Sequence, residues 1–101
     1  MQINFQTVNF KADQKLLDFI TNKIEKLNKF ENKIISVNVY LKVENNEDKD
    51  NKFIEILVNL KDQQLFMKYR SRTFEAAADG AVDSLKEQIK RNKEKRTTQV
   101  S

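Results

Sequence analysis

The sequence predicts an α+β fold with element order β-α-β-β-β-α, a four-stranded sheet carrying two helices on one face. Three observations carry this. Residues 34–44 and 52–60 alternate apolar and polar, the period of half-buried strands. Residues 13–30 and 73–96 repeat apolar side chains at spacings of three and four, which gives each helix one apolar stripe. The three later strands follow one another through short polar connections, which makes an antiparallel meander. Two helices with one stripe each must cover the same sheet face.

In residues 2–10, Ile3 and Phe5 point one way and Asn4 and Gln6 the other, so the first strand is half-buried and suits an edge. Asp13 is placed to cap a helix running to about Phe30. Leu16, Leu17, Ile20, Ile24 and Leu27 form its apolar stripe. Lys15, Lys26 and Lys29 lie across from that stripe, Lys11 and Lys33 stand at its two ends, and Lys23 lies nearer the apolar edge. In the second strand Ile35, Val37, Val39, Leu41 and Val43 take one face, and Ser36, Asn38, Tyr40, Lys42 and Glu44 the other. Residues 45–51 are a polar hairpin connection. Their acids lack the glycine and terminal glutamate of a calcium loop.

In the third strand Ile54, Ile56, Val58 and Leu60 share one face, with Phe53 and Leu57 opposite. Residues 64–71 form a fourth strand whose parity stays open, because Leu65, Met67 and Tyr69 compete with Phe66 for the core. The open sheet face then shows Tyr40 and Lys42, joined by Lys68 and Arg70. Thr73 caps the last helix. Phe74, Ala78, Ala81, Val82, Leu85 and Ile89 form its stripe. Gly80 inside that helix costs about 1 kcal/mol against alanine, and a close approach of the helix to a neighbour explains it. Residues 1–96 are expected to form one domain and 97–101 a short tail.

The chain of 101 residues has no cysteine and no histidine, and one glycine. That removes thiolate and imidazole ligands, the commonest general base, and glycine-rich phosphate loops. No nucleophile–base pair is visible, so the expectation is a protein that is not an enzyme and takes no cofactor, metal or small-molecule substrate. No apolar run reaches the length of a membrane span, and no signal peptide precedes the first strand, so no membrane partner and a cytoplasmic location are expected.

Net charge is +4, and the cations gather in particular segments. Lys86, Lys90, Arg91, Lys93, Lys95 and Arg96 load the second half of the last helix, more than a helix dipole needs. With two helices side by side, Lys23, Lys26 and Lys29 of the first and Lys86, Lys90 and Arg91 of the second merge into one patch, the footprint of a phosphate backbone. Lysine outnumbers arginine, which favours point contacts to phosphate over planar readout of bases. No RNP-like aromatic motif and no GXXG loop supports reading of single-stranded bases. On charge alone a solvated lysine face is an equal alternative.

The chain resembles the short ribosome hibernation promoting factors, also called ribosome-associated inhibitor A or protein Y. The resemblance rests on Met1-Gln2-Ile3, on Leu17, Ile20, Lys23, Lys26, Leu27 and Lys29, and on Val37-Asn38-Val39-Tyr40-Leu41. It continues through Phe74, Ala76-Ala77-Ala78, Val82, Asp83, Leu85, Gln88, Ile89 and Lys93-Glu94-Lys95. It implies the same β-α-β-β-β-α fold. It also implies binding to rRNA of the small ribosomal subunit between head and body, where mRNA and the A- and P-site tRNAs lie, and a block on initiation in stationary phase or starvation. Ser84 and Glu87 stand where the family often has cations, and Lys86 where it has an acid. Arg70, Ser71 and Arg72 add positive charge before the helix. Long members carry a second domain that pairs ribosomes; a chain of this length is expected to be a monomer and not to pair them alone.

Two other functions remain in view. A general double-stranded RNA-binding domain has a similar α-β-β-β-α core, but places its lysines at the start of the last helix, where this chain has Thr73-Phe74-Glu75-Ala76. A protein-interaction module would use the open sheet face.

Overall fold

The computed structural model describes residues 1–44 and 49–100, with side chains through Lys93. The order is β1 (Gln2–Val8), α1 (Gln14–Glu25), a 3-10 turn (Lys26–Lys29), β2 (Ile34–Val43), β3 (Lys52–Leu60), β4 (Gln64–Ser71) and α2 (Phe74–Val100). The sheet runs β1-β2-β3-β4. β1 is parallel to β2, and the remaining pairs are antiparallel. This is the predicted β-α-β-β-β-α fold. The parallel pair requires a crossover, which α1 supplies.

The local signals act as the residue types dictate. The Asp13 carboxylate accepts the Leu16 N–H at 2.9 Å, and the Thr73 hydroxyl accepts the Ala76 N–H at 3.0 Å. Both satisfy donors that a helix leaves without partners in its first turn. Phe10 stacks on Phe74 at 4.7 Å between ring centroids, which ties the starts of the two helices together. The α-helical part of the first helix ends at Glu25, earlier than the periodicity predicts, and the remaining turn tightens to 3-10 geometry. The hairpin between β2 and β3 closes through Glu44 N–H to the Asn51 carbonyl at 2.9 Å. Residues 45–48 of the predicted polar connection lie outside the described residues.

The core lies between one sheet face and both helices. Ile20, Ile24 and Leu27 of the first helical segment meet Val37, Val39, Leu41, Ile54, Ile56 and Val58 of the sheet, and Ala77, Ala78, Ala81, Leu85 and Ile89 of α2. One predicted core residue is displaced. Ile35 is 59% exposed and Ile34 is buried in its place. The cause is a register shift between Ile34 and Ser36 against β3. A bulge inserts one residue and reverses the facing of what precedes it.

The register also fixes β4. Leu65 and Met67 pack towards the core, whereas Phe66 is turned outward and is 48% exposed. Tyr69 shares the inward parity, and its ring lies against α2 at Gly80. A Cβ built on Gly80 would fall within 3.0 Å of three Tyr69 ring atoms. The glycine is thus explained by helix–sheet approach, which the sequence leaves open beside helix–helix approach.

This gives a test of sign. In a Tyr69→Ala background, Gly80→Ala should stabilise the protein by about 1 kcal/mol through helix propensity. With Tyr69 present the ring must move, and that gain should be lost or reversed, since overpacking costs roughly 1–3 kcal/mol. Urea denaturation of the four proteins of this cycle measures it. Equal effects of Gly80→Ala in both backgrounds would contradict the close approach.

Candidate nucleic-acid interface

The basic residues of the two helices are positioned by the core stripes beneath them. Asp79, Lys86 and Lys90 follow one another at spacings of seven and four, so they form one line along α2. That line faces the first helical segment. Lys23 of α1 forms an ion pair with Asp79, and its ammonium also lies 5.4 Å from the Phe19 ring centroid. Further along, the Lys86 and Lys90 ammonium groups stand 4.7 and 5.4 Å from the centroid of the Phe30 ring.

Phe30 is the junction of the site. It closes the 3-10 turn with its N–H on the Leu27 carbonyl, and its half-buried ring packs against the core. Lys26 and Lys29 are exposed on that same turn. Two lysines of α2 are therefore gathered over one aromatic side chain, which itself closes the turn that carries Lys26 and Lys29. The ring's negative face offsets part of the repulsion that two neighbouring ammonium groups feel. Glu31 follows at once. It is only 2% exposed, and its carboxylate accepts the Lys33 N–H at 3.2 Å, which turns the chain back into β2. Glu31 and Lys33 line a hollow with Lys61, Asp62 and Gln63 of the β3–β4 turn, where the lysines are accompanied by the two acids.

The predicted residues thus divide into three groups. Lys86 and Lys90 come together over Phe30, and Lys26 and Lys29 are exposed on the turn that Phe30 closes. Lys23 belongs to the same seam but is engaged by Asp79. Arg91 is exposed on the side of α2 that faces β4, where it borders a hollow with Gln64, Phe66 and Gln88, away from the seam. Phe30 does not stand out in the sequence as an organiser. The signal that could reveal it is an aromatic residue next to Lys29 at a helix end. Among the described residues no cluster of three or more metal-ligating side chains occurs.

The arrangement is an exposed cationic end on a rigid two-helix layer, suited to contacting phosphates. The model of the family described as Sigma 54 modulation protein / S30EA ribosomal protein matches residues 3–97. The chain belongs to this family. Among its relatives is the ribosome hibernation promoting factor of Salmonella typhimurium, 30% identical over 95 residues that cover 94% of this chain and 96% of the relative. The factor of the same name from Pseudomonas putida is 27% identical, covering 94% and 89%. Two solved structures share the fold. A ribosomal subunit interface protein from Coxiella burnetii superposes with a TM-score of 0.82 at 15% identity, over 92% of this chain and 98% of that one. The N-terminal domain of Thermus thermophilus Protein Y gives 0.78 at 24% identity, over 90% and 98%.

The junction makes a measurable claim. In a double-mutant cycle of Phe30→Leu and Lys86→Gln, the two side chains should couple by about 0.5–1 kcal/mol. Denaturant unfolding of the four proteins reads this value. Strict additivity would mean that the ring does not hold the lysine.

Proposed function

We propose that this chain is a ribosome hibernation factor. It binds the small ribosomal subunit in the channel that takes mRNA and tRNA, and so holds translation off under stress or in stationary phase. The observation that carries this reading is the gathering of Lys86 and Lys90 over Phe30, the residue that closes the turn bearing Lys26 and Lys29. Membership of the S30EA family and relatives named ribosome hibernation promoting factor support the ribosome as partner.

The physical logic is competition. A folded domain with lysines gathered at one end presents them to rRNA phosphates from a backbone that is already ordered, and the rest of the domain fills space that tRNA and mRNA need. Lys26, Lys29, Lys86 and Lys90 make the main contacts; Lys23 and Arg91 flank them. Contacts of lysine to phosphate position the protein and carry little sequence information, so shape selects the site. The role is regulatory, with no reaction assigned. Its place of action is the cytoplasm, where ribosomes work, and away from the ribosome the protein is a monomer. No helix among the described residues is long and apolar enough to cross a membrane.

Replacing Lys26, Lys29 and Lys90 together with glutamine should flatten the log–log salt dependence of small-subunit affinity by roughly 2–3 units, at about 0.7–0.9 for each phosphate no longer neutralised. Thermal stability should hardly change, since exposed lysines contribute little to folding. An unaltered slope would mean that these lysines are a solvated face. In a competition assay, P-site tRNA should displace the protein from purified small subunits, and full simultaneous occupancy would rule out the channel.

A further inference from the structure

The sheet face opposite the helices is built differently from the helix face. Register places its outward side chains in rows across the strands. Asn4, Asn38, Leu57 and Phe66 form one row, Gln6, Tyr40, Glu55 and Lys68 the next, and Val8, Lys42, Phe53 and Arg70 the last. No element covers this face among the described residues. Asn4, Gln6, Asn38, Tyr40, Leu57 and Phe66 surround one shallow hollow on it.

Three features of that face converge on one kind of ligand. Phe66 is 48% exposed on β4, and Tyr40 is half-buried on β2. Two strand spacings separate them, about 10 Å, with one further row, about 7 Å, along the strands. That is enough to seat two different bases of one strand. Between and beside the rings stand amides. Asn4 donates to the Asn38 carbonyl oxygen at 3.1 Å, which leaves the Asn38 amide N–H groups directed to solvent or a ligand. Gln6 is exposed beside Tyr40. The last row is cationic. Lys42 and Arg70 meet no acid within ion-pair distance among the described residues, while Glu55 is offset by Lys68 at 3.8 Å. Lys68 also lies 5.8 Å from the Phe53 ring centroid.

We propose that the open sheet face is a second nucleic-acid site, one that takes an unpaired RNA segment. Phe66 and Tyr40 stack successive or near-successive bases, Asn38 and Gln6 meet base edges, and Lys42 and Arg70 hold the phosphates. Stacking on aromatic side chains accepts any base, and a row of cations tracks the backbone. A protein partner fits less well, because the apolar side chains are interleaved with amides and cations and form no continuous apolar core. The helix end contacts phosphates of folded RNA; the sheet face takes a single strand. The two surfaces lie on opposite sides of the sheet, so their failures are separable.

The test uses the whole protein with a short fluorescein-labelled oligouridylate and, separately, purified small subunits. Fluorescence anisotropy should show binding of the oligonucleotide that weakens with salt. Tyr40→Ala and Phe66→Ala should each weaken it roughly fivefold or more, and Lys42→Gln with Arg70→Gln should reduce its salt dependence. The Lys26, Lys29 and Lys90 glutamine variant should keep oligonucleotide affinity while losing small-subunit affinity. Circular dichroism confirms that each variant folds. As an independent readout, photo-crosslinking of 4-thiouridine in the oligonucleotide should mark residues in β2 or β4. The proposal is overturned if the oligonucleotide does not bind at micromolar protein. It is equally overturned if affinity falls in the helix variant alone, if the crosslinks fall on α1 or α2, or if the Tyr40 and Phe66 variants bind the oligonucleotide as well as the parent protein does.

Discussion

The seating of α2 on the sheet is the constraint from which the rest follows. Ala77, Ala78 and Ala81 are fully buried, and Gly80 yields its Cβ position to the Tyr69 ring. Side chains this small let the helix backbone come close to the strands, and they leave room for α1 alongside. Larger residues at these positions would lift α2 and open the seam with α1. The depth of α2 therefore decides whether Asp79 meets Lys23 and whether Lys86 and Lys90 reach Phe30. The wider parts of the core, Leu85 and Ile89, come later in the helix, where the lysine-bearing half begins.

Charge along α2 follows from the same geometry. Its first half puts Asp79 in the seam, and there the acid binds a lysine of α1. Its second half puts lysines in the seam, and there an aromatic ring replaces the acid. The seam thus changes from neutralised to cationic along one helix. This concentrates the seam's positive charge at the Phe30 end. A partly exposed ion pair such as Lys23–Asp79 contributes roughly 0.2–1 kcal/mol, so its value lies in setting which cations remain available more than in stability.

Much of the fold is legible in the order of residues. Period-two alternation in β2 and β3 and the two helical stripes are strong signals, and the Asp13 and Thr73 caps mark helix starts to within a residue. The parity of β4 is not legible, because Leu65, Met67 and Tyr69 are matched by Phe66 on the other face, and only pairing with β3 settles it. The bulge at Ile34 is hidden for the same reason: adjacent isoleucines fit either facing. For the site, periodicity and charge name the lysines of both helices. They do not reveal that Lys23 is engaged by an acid seven residues before Lys86, or that Arg91 turns towards β4. Those facts depend on the relative rotation of the two helices, which local periodicity leaves free. Alternation alone sets Tyr40 on the uncovered face, whereas Phe66 reads as a core candidate until pairing with β3 turns it outward.

The most direct measurement is amine footprinting of lysines on the protein bound to purified small subunits, with each site quantified by mass spectrometry. The account predicts strong protection of Lys26, Lys29, Lys86 and Lys90, and undiminished reactivity of Lys11 and Lys49 at the opposite end of the domain. Reactivity at Lys26, Lys29, Lys86 and Lys90 equal to that in the free protein, with bound stoichiometry confirmed, would contradict it.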